Sequence, residues 1–267
     1  MTASVEFQKA FIFYGKTAAN GKSTLLELIS KLLGIENVSH VSIHNLQDKF
    51  YASELQNKLL NAVSELPSLA LRTAEIFKSI VTGDRIATEK KFKDRKTIKS
   101  YAKNIFTTNE LPKVAHTDEG FFRRLNIVNF EAKFTEEEKA KFNIEDLLST
   151  DALEYLAKIS IDAYQRLLQT RIFANEKESD RLLGIYKLEN NTALAFLADN
   201  SNLQRIIKNY NNEIQQAYMW EEYKRWCNKN GLVILGRNKF YSELGKTNMF
   251  SKYSIRNTDY LKYIEKD

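Results

Sequence analysis

The stretch FIFYGKTAANGKST, residues 11–24, nearly matches the phosphate-binding loop in which four residues separate a glycine from Gly-Lys-Ser/Thr. Here five residues separate Gly15 from Gly21. The apolar run 10–14 predicts a buried strand before the loop, and leucines at helical spacing after it predict a helix that ends at Gly34. This context favours a phosphate-binding loop whose additional residue is accommodated where the strand turns into the loop.

Each loop residue has an expected role. Successive backbone N–H groups and the start of the following helix point toward phosphate, and Gly21 allows a close approach. Lys22 is expected to reach the β- and γ-phosphates and Ser23 to bind Mg²⁺, while Asn20 tolerates the left-handed backbone region. The candidate nucleotide-binding residues are Gly15, Asn20, Gly21, Lys22, Ser23 and Thr24.

Two polar residues follow other expected strands. Glu65 comes directly after the apolar run 59–63 and is a candidate to polarise the attacking water and to complete the Mg²⁺ site with the loop serine. Its predecessor is Ser64, where many such ATPases have an aspartate. Asn109 ends the strand expected at 104–107, where it could hold a water or sense the γ-phosphate. Taken alone, Glu65 would be an ordinary surface glutamate.

An arginine pair, Arg123 and Arg124, lies in GFFRRL just before another expected strand, 125–130. An arginine from a neighbouring subunit can stabilise the charge that develops in phosphoryl transfer. A surface salt bridge is the alternative for an isolated pair. The order of the motifs favours the catalytic interpretation.

Charge is concentrated in two places. The net charge is +6, and segment 85–103 holds eight Lys and Arg residues against two acids. Segment 223–258 has eight basic residues and one acid, while 136–189 is acidic. Two basic zones around an acidic middle suggest that nucleic acid is contacted at two places. Solvated charged faces are the alternative.

Several protein classes are disfavoured by composition. The single cysteine, Cys227, excludes an internal disulfide and fits a reducing compartment, and its apolar phase on a helix predicts core packing. The three histidines lack metal-ligand spacing, so we expect no structural zinc. No apolar run approaches the roughly 20 residues of a membrane span, and no signal peptide is expected. We expect a cytoplasmic protein without a membrane partner.

Periodicity along the rest of the chain predicts an α/β fold. A helix is expected at about 69–81, and segments 86–92 and 97–100 are expected to pair as a hairpin around KFKDRK. Strands that alternate with helices imply a mostly parallel sheet. The predicted domains are a core at 1–134, an acidic helical connector without strands at 135–212, and a winged-helix-like domain at 213–267, where two helices precede two strands.

The order of these motifs resembles the superfamily 3 helicases, and within them the branch of phage, plasmid and poxvirus primase-helicases. The phosphate loop, the lone Glu65, FKSIVTGDRIATEKKF, FTTNELP and GFFRRLNIVNF carry the resemblance over 11–134. EEYKRWCNKNG and NKFYSEL are similar to the C-terminal winged region of that branch. The resemblance implies an AAA+ P-loop ATPase core, a homo-hexameric ring, Mg²⁺-ATP hydrolysis and 3′→5′ translocation on single-stranded DNA.

The resemblance also implies residue roles. Catalysis would rest on Lys22, Ser23, Glu65, Asn109 and one of the arginine pair, with Arg124 preferred because it immediately precedes the following strand, as in the family pattern. The lengthened loop and Ser64 depart from that pattern and bear on Mg²⁺ coordination. The sequence starts close to the first strand and so does not include the primase domain often found upstream in that branch, which leaves two alternatives: a shortened chain or a compact, helicase-only protein.

DNA contacts are expected in both basic zones. In superfamily 3 rings a hairpin in this interval points into the central pore, and phosphate-directed lysines there would contact DNA without regard to base identity. The residues with this expected role are Lys90, Lys91 and Lys93, with Phe92 as an apolar wedge and Arg95 and Lys96 extending the surface. In the C-terminal region the corresponding candidates are Arg237 and Lys239, or Lys252 and Arg256.

The sequence leaves competing functions. The leading one is a replicative DNA helicase of a phage or mobile element in a bacterial host cell, acting on single-stranded and forked DNA, with a primase or loader protein as a further partner. The alternative is an ATP-dependent origin-binding or regulatory protein without unwinding activity. A P-loop kinase is disfavoured because it would leave the basic segment 85–103 unexplained.

Overall fold

The computed structural model describes residues 3–66, 71, 74–90, 93–114, 119–141, 146 and 148–264. The chain forms two compact units, Met1–Gly184 and Ile185–Asp267, and each has its own hydrophobic core. The three-part division with boundaries after residues 134 and 212 stays a prediction. Across the described ranges, no helix combines the length and hydropathy needed to cross a membrane.

The first unit contains a five-stranded parallel sheet and a separate antiparallel hairpin. Its strands are β1 (Ala10–Tyr14), β2 (Val38–Ser39), β3 (Leu60–Val63), β4 (Arg85–Lys90), β5 (Lys93–Lys99), β6 (Lys103–Thr108) and β7 (Leu125–Asn129). The sheet order is β2-β3-β6-β1-β7, and β4 pairs with β5. All neighbouring strands of the large sheet run parallel, which confirms the predicted α/β architecture.

Helices alternate with the strands of this sheet, and further helices follow β7 along the chain. They are α1 (Lys22–Leu33), α2 (Lys49–Ala52), α3 (Glu75–Thr82), α4 (Glu119–Phe122), α5 (Glu136–Ala140), α6 (Thr150–Thr170) and α7 (Glu176–Asn190), with short 3₁₀ turns at Ile35–Asn37, Asn45–Gln47 and Ser53–Leu55. The predicted helix at 69–81 begins later, at Glu75, and most of its expected first part lies outside the described residues. Helix α7 contains the boundary between the two units.

Buried polar side chains fix the register of the sheet. Asn61, with no exposed surface, donates from Nδ2 to Asn104 Oδ1 (3.1 Å) and to Val41 O (2.9 Å). Its Oδ1 accepts from Val41 N (2.8 Å) and from Ser39 Oγ (3.2 Å). A shift of one residue would leave these amide groups buried without partners, which costs about 1–3 kcal/mol for each group.

Side chains also occupy the outer edge of the sheet at β7. Ser179 Oγ accepts a hydrogen bond from Ile127 N (2.9 Å), and Asn175 Nδ2 donates to Ile127 O (3.0 Å) and Asn126 Oδ1 (2.8 Å). An edge strand otherwise exposes N–H and C=O groups to pairing with another chain. Here the central residue of the edge strand is satisfied within the unit.

The β4–β5 hairpin confirms the predicted pairing but not its extent. Arg85 lies opposite Lys99 and Ile86 opposite Ile98, and the paired strand begins at Lys93 rather than at Thr97. The prediction missed the first half of β5 because KDRK lacks the alternation that marks a strand. Ile86 and Ile98 are buried and hold one face of the hairpin against the unit.

The second unit consists of helices followed by a small antiparallel sheet. Its elements are α8 (Thr192–Ala198), α9 (Asn200–Asn209), β8 (Glu213–Gln215), α10 (Gln216–Lys229), α11 (Arg237–Lys246), β9 (Phe250–Ile255) and β10 (Thr258–Tyr263), and the sheet order is β8-β10-β9. The two helices and two strands expected from the C-terminal pattern are therefore present. The sequence pattern missed β8, which has only three residues.

Aromatic packing forms the core of the second unit. The rings of Tyr223 and Phe240 stack with centroids 4.3 Å apart, and Phe196 meets Tyr223 edge-on at 5.6 Å. The Tyr223 hydroxyl pairs with Thr192 Oγ1 (2.6 Å), and burial raises the pKa of Tyr223 to about 12. Cys227 is fully buried in the same cluster, which confirms its predicted packing role, and burial raises the pKa of its thiol.

Candidate nucleotide-binding site

A cavity of 260 Å³ lies at the carboxyl ends of β1, β3 and β6. Its lining residues come from the phosphate-loop candidate, from the end of β3 and from the end of β6: Ala18, Ala19, Asn20, Gly21, Lys22, Ser23, Thr24, Ser64, Glu65, Thr107, Thr108 and Asn109. Open parallel sheets bind ligands at this end of their strands. The structure thus brings the loop, Glu65 and Asn109 together, as the sequence predicted for residues far apart along the chain.

The start of α1 presents a positive helix end to the cavity. Gly21 is the N-cap and adopts a left-handed backbone with φ of 85°, and no acidic residue lies in the first turn. Free N–H groups of a first helical turn and the helix dipole favour an anion. The local backbone therefore suits phosphate.

Lys22 is the most connected side chain of the cavity. Its Nζ donates to Asn20 Oδ1 (2.9 Å), Asn109 Oδ1 (2.8 Å), Gly15 O (3.2 Å) and Thr17 O (3.4 Å). Burial lowers the pKa of Lys22 from its ordinary value. The four oxygens keep the ammonium at one position and connect the loop to the end of β6.

Gly15 is required by a close approach between the loop and the sheet. A Cβ at this position would lie 2.3 Å from Asn20 Nδ2 and 2.6 Å from Phe130 O. Asn20 is buried, and its Nδ2 donates to Thr17 O (2.7 Å). Asn20 tolerates a left-handed backbone but does not adopt one here: the loop's non-glycine residue with positive φ is Ala19, and Asn20 holds the loop through its side chain.

The additional loop residue is not accommodated where the strand ends. The N–H of Gly15 still bonds to Thr108 O (3.3 Å), so the sheet pattern continues to that glycine. The backbone first leaves the ordinary regions at Ala19, with φ of 59°, and Ala19 O accepts from Phe134 N (2.9 Å). A left-handed alanine costs about 1–2 kcal/mol, which the surrounding hydrogen bonds offset.

Glu65 lies in an exposed segment that β6 holds in place. Thr107 Oγ1 donates to Ser64 O, and Leu66 N donates to Thr107 O (2.9 Å). These contacts on both sides of Glu65 fix the backbone that carries its carboxylate at the cavity. The threonines of FTTNELP were missed as site residues, although their position directly before Asn109 was a signal.

The oxygen atoms at the cavity suit Mg²⁺ in combination with phosphate. Ser23 and Thr24 provide hydroxyls and Glu65 a carboxylate. Mg²⁺ commonly binds through one or two carboxylates together with substrate phosphates. Within the described part of the chain, no group of three His, Cys, Asp or Glu side chains could hold a metal ion without such a ligand.

The arginine pair lies at the opposite end of the sheet. Arg124 O accepts from Ala10 N (2.7 Å) at the start of β1, which spans about 17 Å before the loop begins. Arg124 is only 8% exposed and its Nη1 donates to Gly120 O (2.5 Å), whereas Arg123 is exposed. Neither arginine lines the cavity of its own chain, and only Arg123 has an exposed side chain.

Part of the predicted DNA-contacting hairpin lies outside the described residues. This applies to Lys91 and Phe92 entirely and to the side chains of Lys90, Lys93 and Arg95. The backbone register nevertheless places Lys90 directly opposite Lys93. The structure therefore describes the two strands of the hairpin up to this pair.

Basic residues of the second unit differ in their exposure and pairing. Arg237 begins α11 and is exposed, while Lys239 is half-buried. Lys252 is 2.9 Å from Asp259 in an ion pair. Arg256 and its neighbour Asn257 both have positive φ, as in the two-residue turns that suit β-hairpins, and Arg256 is exposed there.

Gly15→Ala should destabilise the first unit by about 1–3 kcal/mol, because the new methyl group meets the backbone oxygen of Phe130 as well as Asn20. Binding of a fluorescent ATP analogue should weaken in parallel. Gly184→Ala is the matched control, since nothing lies within 4 Å of the added carbon in α7. It should be neutral or stabilising by about 0.5–1 kcal/mol. Equal unfolding and nucleotide titrations for Gly15→Ala and native protein would contradict this role for Gly15.

Family comparisons match the two units separately. Residues 13–124 match a family of unknown function, DUF5906, and residues 188–267 match a family described as Poxvirus D5 protein-like. Each match covers less than half of the chain. No curated protein matches it.

One solved structure shares the fold at low sequence identity, and two others align with lower TM-scores. The A form apo structure of the NrS-1 C-terminal region has a TM-score of 0.56 and 18% identity, and the alignment covers 97% of this chain and 66% of that one. A second structure of that region, 305–718, has a TM-score of 0.47 with 14% identity and coverage of 97% and 67%. A JCV helicase bound to a thiazolopyridine acetamide has a TM-score of 0.34 with 15% identity and coverage of 91% and 56%. The first alignment shows the fold alone, and this chain spans 66% of the length of that structure.

Proposed function

We propose that the chain is an ATP-driven DNA helicase of the superfamily 3 type, with an AAA+ core that assembles into a hexameric ring and moves 3′→5′ on single-stranded DNA. The observation that carries the proposal is the cavity in which Lys22 Nζ lies 2.8 Å from Asn109 Oδ1 and which Glu65 also lines. A phosphate-binding helix end, a lysine, a carboxylate and a polar sensor are the parts that ATP hydrolysis needs.

Each residue has a distinct task in this proposal. The N–H groups at the start of α1 bind the phosphates and Lys22 neutralises their charge. Glu65 orients and polarises the attacking water. Ser23 and Glu65 would hold Mg²⁺, which when bound neutralises charge on the β- and γ-phosphates. Asn109 connects Lys22 to β6, so the strand end can respond to the γ-phosphate.

The second unit supports a role in DNA replication. Its sequence matches a family described as Poxvirus D5 protein-like. We propose that its helix, strand, two helices and hairpin form a winged helix, which binds forked or duplex DNA through Arg237 and the Arg256 turn. The ion pair of Lys252 with Asp259 makes Lys252 a weaker candidate than Arg256. A primase or loader protein is the proposed further partner.

We assign the arginine that acts across a subunit boundary to Arg123. A residue that reaches a neighbouring cavity must extend from the surface, and Arg124 is buried with its guanidinium bonded to Gly120 O. Arg123 is exposed at the end of α4, about 17 Å of strand away from its own cavity. We propose that this exposed position lets Arg123 reach the cavity of a neighbouring subunit.

An ATP-dependent origin-binding protein without unwinding is the second candidate. The exposed Arg237 at the start of α11 fits sequence-independent or site-specific DNA binding equally well. Displacement of one strand from a forked duplex distinguishes the two functions. A helicase separates the strands in an ATP-dependent manner, and an origin-binding protein leaves them paired.

Lys22→Ala should lower ATP hydrolysis by about 100-fold or more, because the phosphates lose their neutralising ammonium. Glu65→Gln should lower hydrolysis to a similar degree while ATP affinity changes little, since only the carboxylate that polarises water is lost. Glu27→Gln, an exposed glutamate on α1, is the matched control. Phosphate release and nucleotide titration measure the two effects, and a Glu65→Gln protein that hydrolyses ATP at the native rate would rule out its assignment.

Arg123→Ala and Lys22→Ala proteins should each be inactive, and a mixture should recover part of the native ATPase rate. A mixed assembly contains sites in which one subunit supplies Lys22 and its neighbour supplies Arg123. Arg124→Ala is the comparison variant, and it should lower thermal stability because the residue is buried. Mixed subunits that assemble together yet stay inactive would count against a shared site.

Replacing Lys91 and Lys93 by alanine should abolish unwinding and DNA-stimulated ATPase while ATP binding survives. Loss of two phosphate contacts should also make the salt dependence of single-strand binding shallower by about 1.4 in log–log slope. Alanine at Lys139 and Lys141, which removes the same charge from the region of α5, is the control. Normal strand displacement by the Lys91/Lys93 variant would contradict the proposed hairpin contact.

A further inference from the structure

The base of the β4–β5 hairpin carries two like charges opposite each other. Arg85 pairs in register with Lys99 across the two strands, and both side chains are exposed. Directly opposed like charges destabilise an antiparallel pair. Among the described residues, neither cation has a hydrogen-bonding or ion-pair partner.

This arrangement contrasts with that of several basic residues on helices, which have an acidic partner. Several lysines and arginines on helices have an acid three residues away, with N–O distances of 2.6–2.8 Å in Lys78–Glu75, Lys139–Glu136, Arg181–Glu178, Lys224–Glu221 and Lys246–Glu243. An acidic residue in place of either cation would form an ion pair across the two strands and stabilise the hairpin. The hairpin base instead retains an unfavourable pair, which indicates an anionic partner that comes from outside the chain.

The packing of the neighbouring isoleucines keeps the side chains of Arg85 and Lys99 in solvent. Ile86 and Ile98, the next residues along the two strands, are 7% and 4% exposed and face the interior. Because side chains alternate along a strand, Arg85 and Lys99 must face outward. On the same outward face follow Ala87 and Thr97, which are small and exposed. Arg85 and Lys99 therefore form an exposed cationic pair, and the small side chains beside them on the hairpin leave its surface accessible.

We propose that Arg85 and Lys99 form a second binding point for the phosphodiester backbone of single-stranded DNA, at the base of the hairpin. The inference rests on the proposed function, in which residues near the hairpin end contact DNA. Arg85 and Lys90 are five strand positions apart, or about 17 Å, so a single strand must extend along the hairpin to reach both. The pair binds phosphate without regard to base identity, since it offers charge and no apolar base-stacking surface.

The decisive variant is Lys99→Glu, because it should move stability and binding in opposite directions. It converts the repulsive pair into an ion pair between Arg85 and the new carboxylate, so the Tm of the first unit should rise by about 1–4 °C. The affinity for a fluorescent oligothymidylate, measured without nucleotide, should fall about tenfold, with a log–log salt slope shallower by about 1. Lys139→Glu changes the net charge equally on α5 and should alter binding less than about twofold.

The outcomes separate this inference from the proposed function. A higher Tm with weaker binding, at unchanged oligomeric size, supports the hairpin-base site. Native-like binding and salt slope in Lys99→Glu overturn it, even if the native protein hydrolyses ATP and unwinds forks. A change in sedimentation with unchanged DNA affinity also overturns it, because the pair would then contact another subunit. Native protein that neither binds the oligonucleotide nor hydrolyses ATP would refute the proposed function itself.

Discussion

The ammonium of Lys22 is the contact on which the site depends, because it joins the loop before α1 to the end of β6, far away in the sequence. Asn20 Oδ1 and Asn109 Oδ1 hold it from the loop and from the end of β6, at 2.9 and 2.8 Å. The loop can fold this tightly only because Gly15 has no side chain where Asn20 and Phe130 approach. Strand order completes the arrangement, since β6 lies between β1 and β3 and brings Asn109 beside both the loop and Glu65.

Acidic and basic side chains are distributed unevenly over the surface of the protein. The start of α1 has no acid in its first turn, whereas α5 has three in its own. Several basic side chains on helices have an acidic neighbour, and the hairpin base does not. Net charge alone does not show this difference between the helices and the hairpin base. The cations that have no acidic partner among the described residues show it.

The sequence predicted the features that rest on periodicity and local chemistry. The strand–loop–helix around Gly15, the parallel sheet, the hairpin and the burial of Cys227 all follow from spacing that any reader can count. Burial of Arg124 could not be predicted, because it depends on how α4 meets the start of β1 in space. For Asn20 the residue type suggested a backbone role, whereas its side chain accepts a hydrogen bond from Lys22 Nζ (2.9 Å).

Short or polar segments were the second source of error. The first half of β5 is too charged, and β8 too short, for a pattern to mark them as strands; both are set by pairing with a neighbour. Whether such a segment forms a strand depends on contacts with residues distant in the sequence, and a single sequence does not show those contacts. The sequence grouped the loop, Glu65 and Asn109, which line one cavity, but it could not give the contacts between them, and their roles stay predictions.

The occupied edge of β7 bears on how copies of this chain could meet. Asn175 and Ser179 satisfy the backbone of Ile127, so a second chain cannot add a strand there without displacing them. Assembly at this edge must then use side-chain surfaces, whose contacts break one at a time rather than as a continuous ladder. In the proposed ring, neighbouring subunits joined in this way would slide or part without unravelling the sheet, and this edge of β7 would resist strand addition by another copy of the chain.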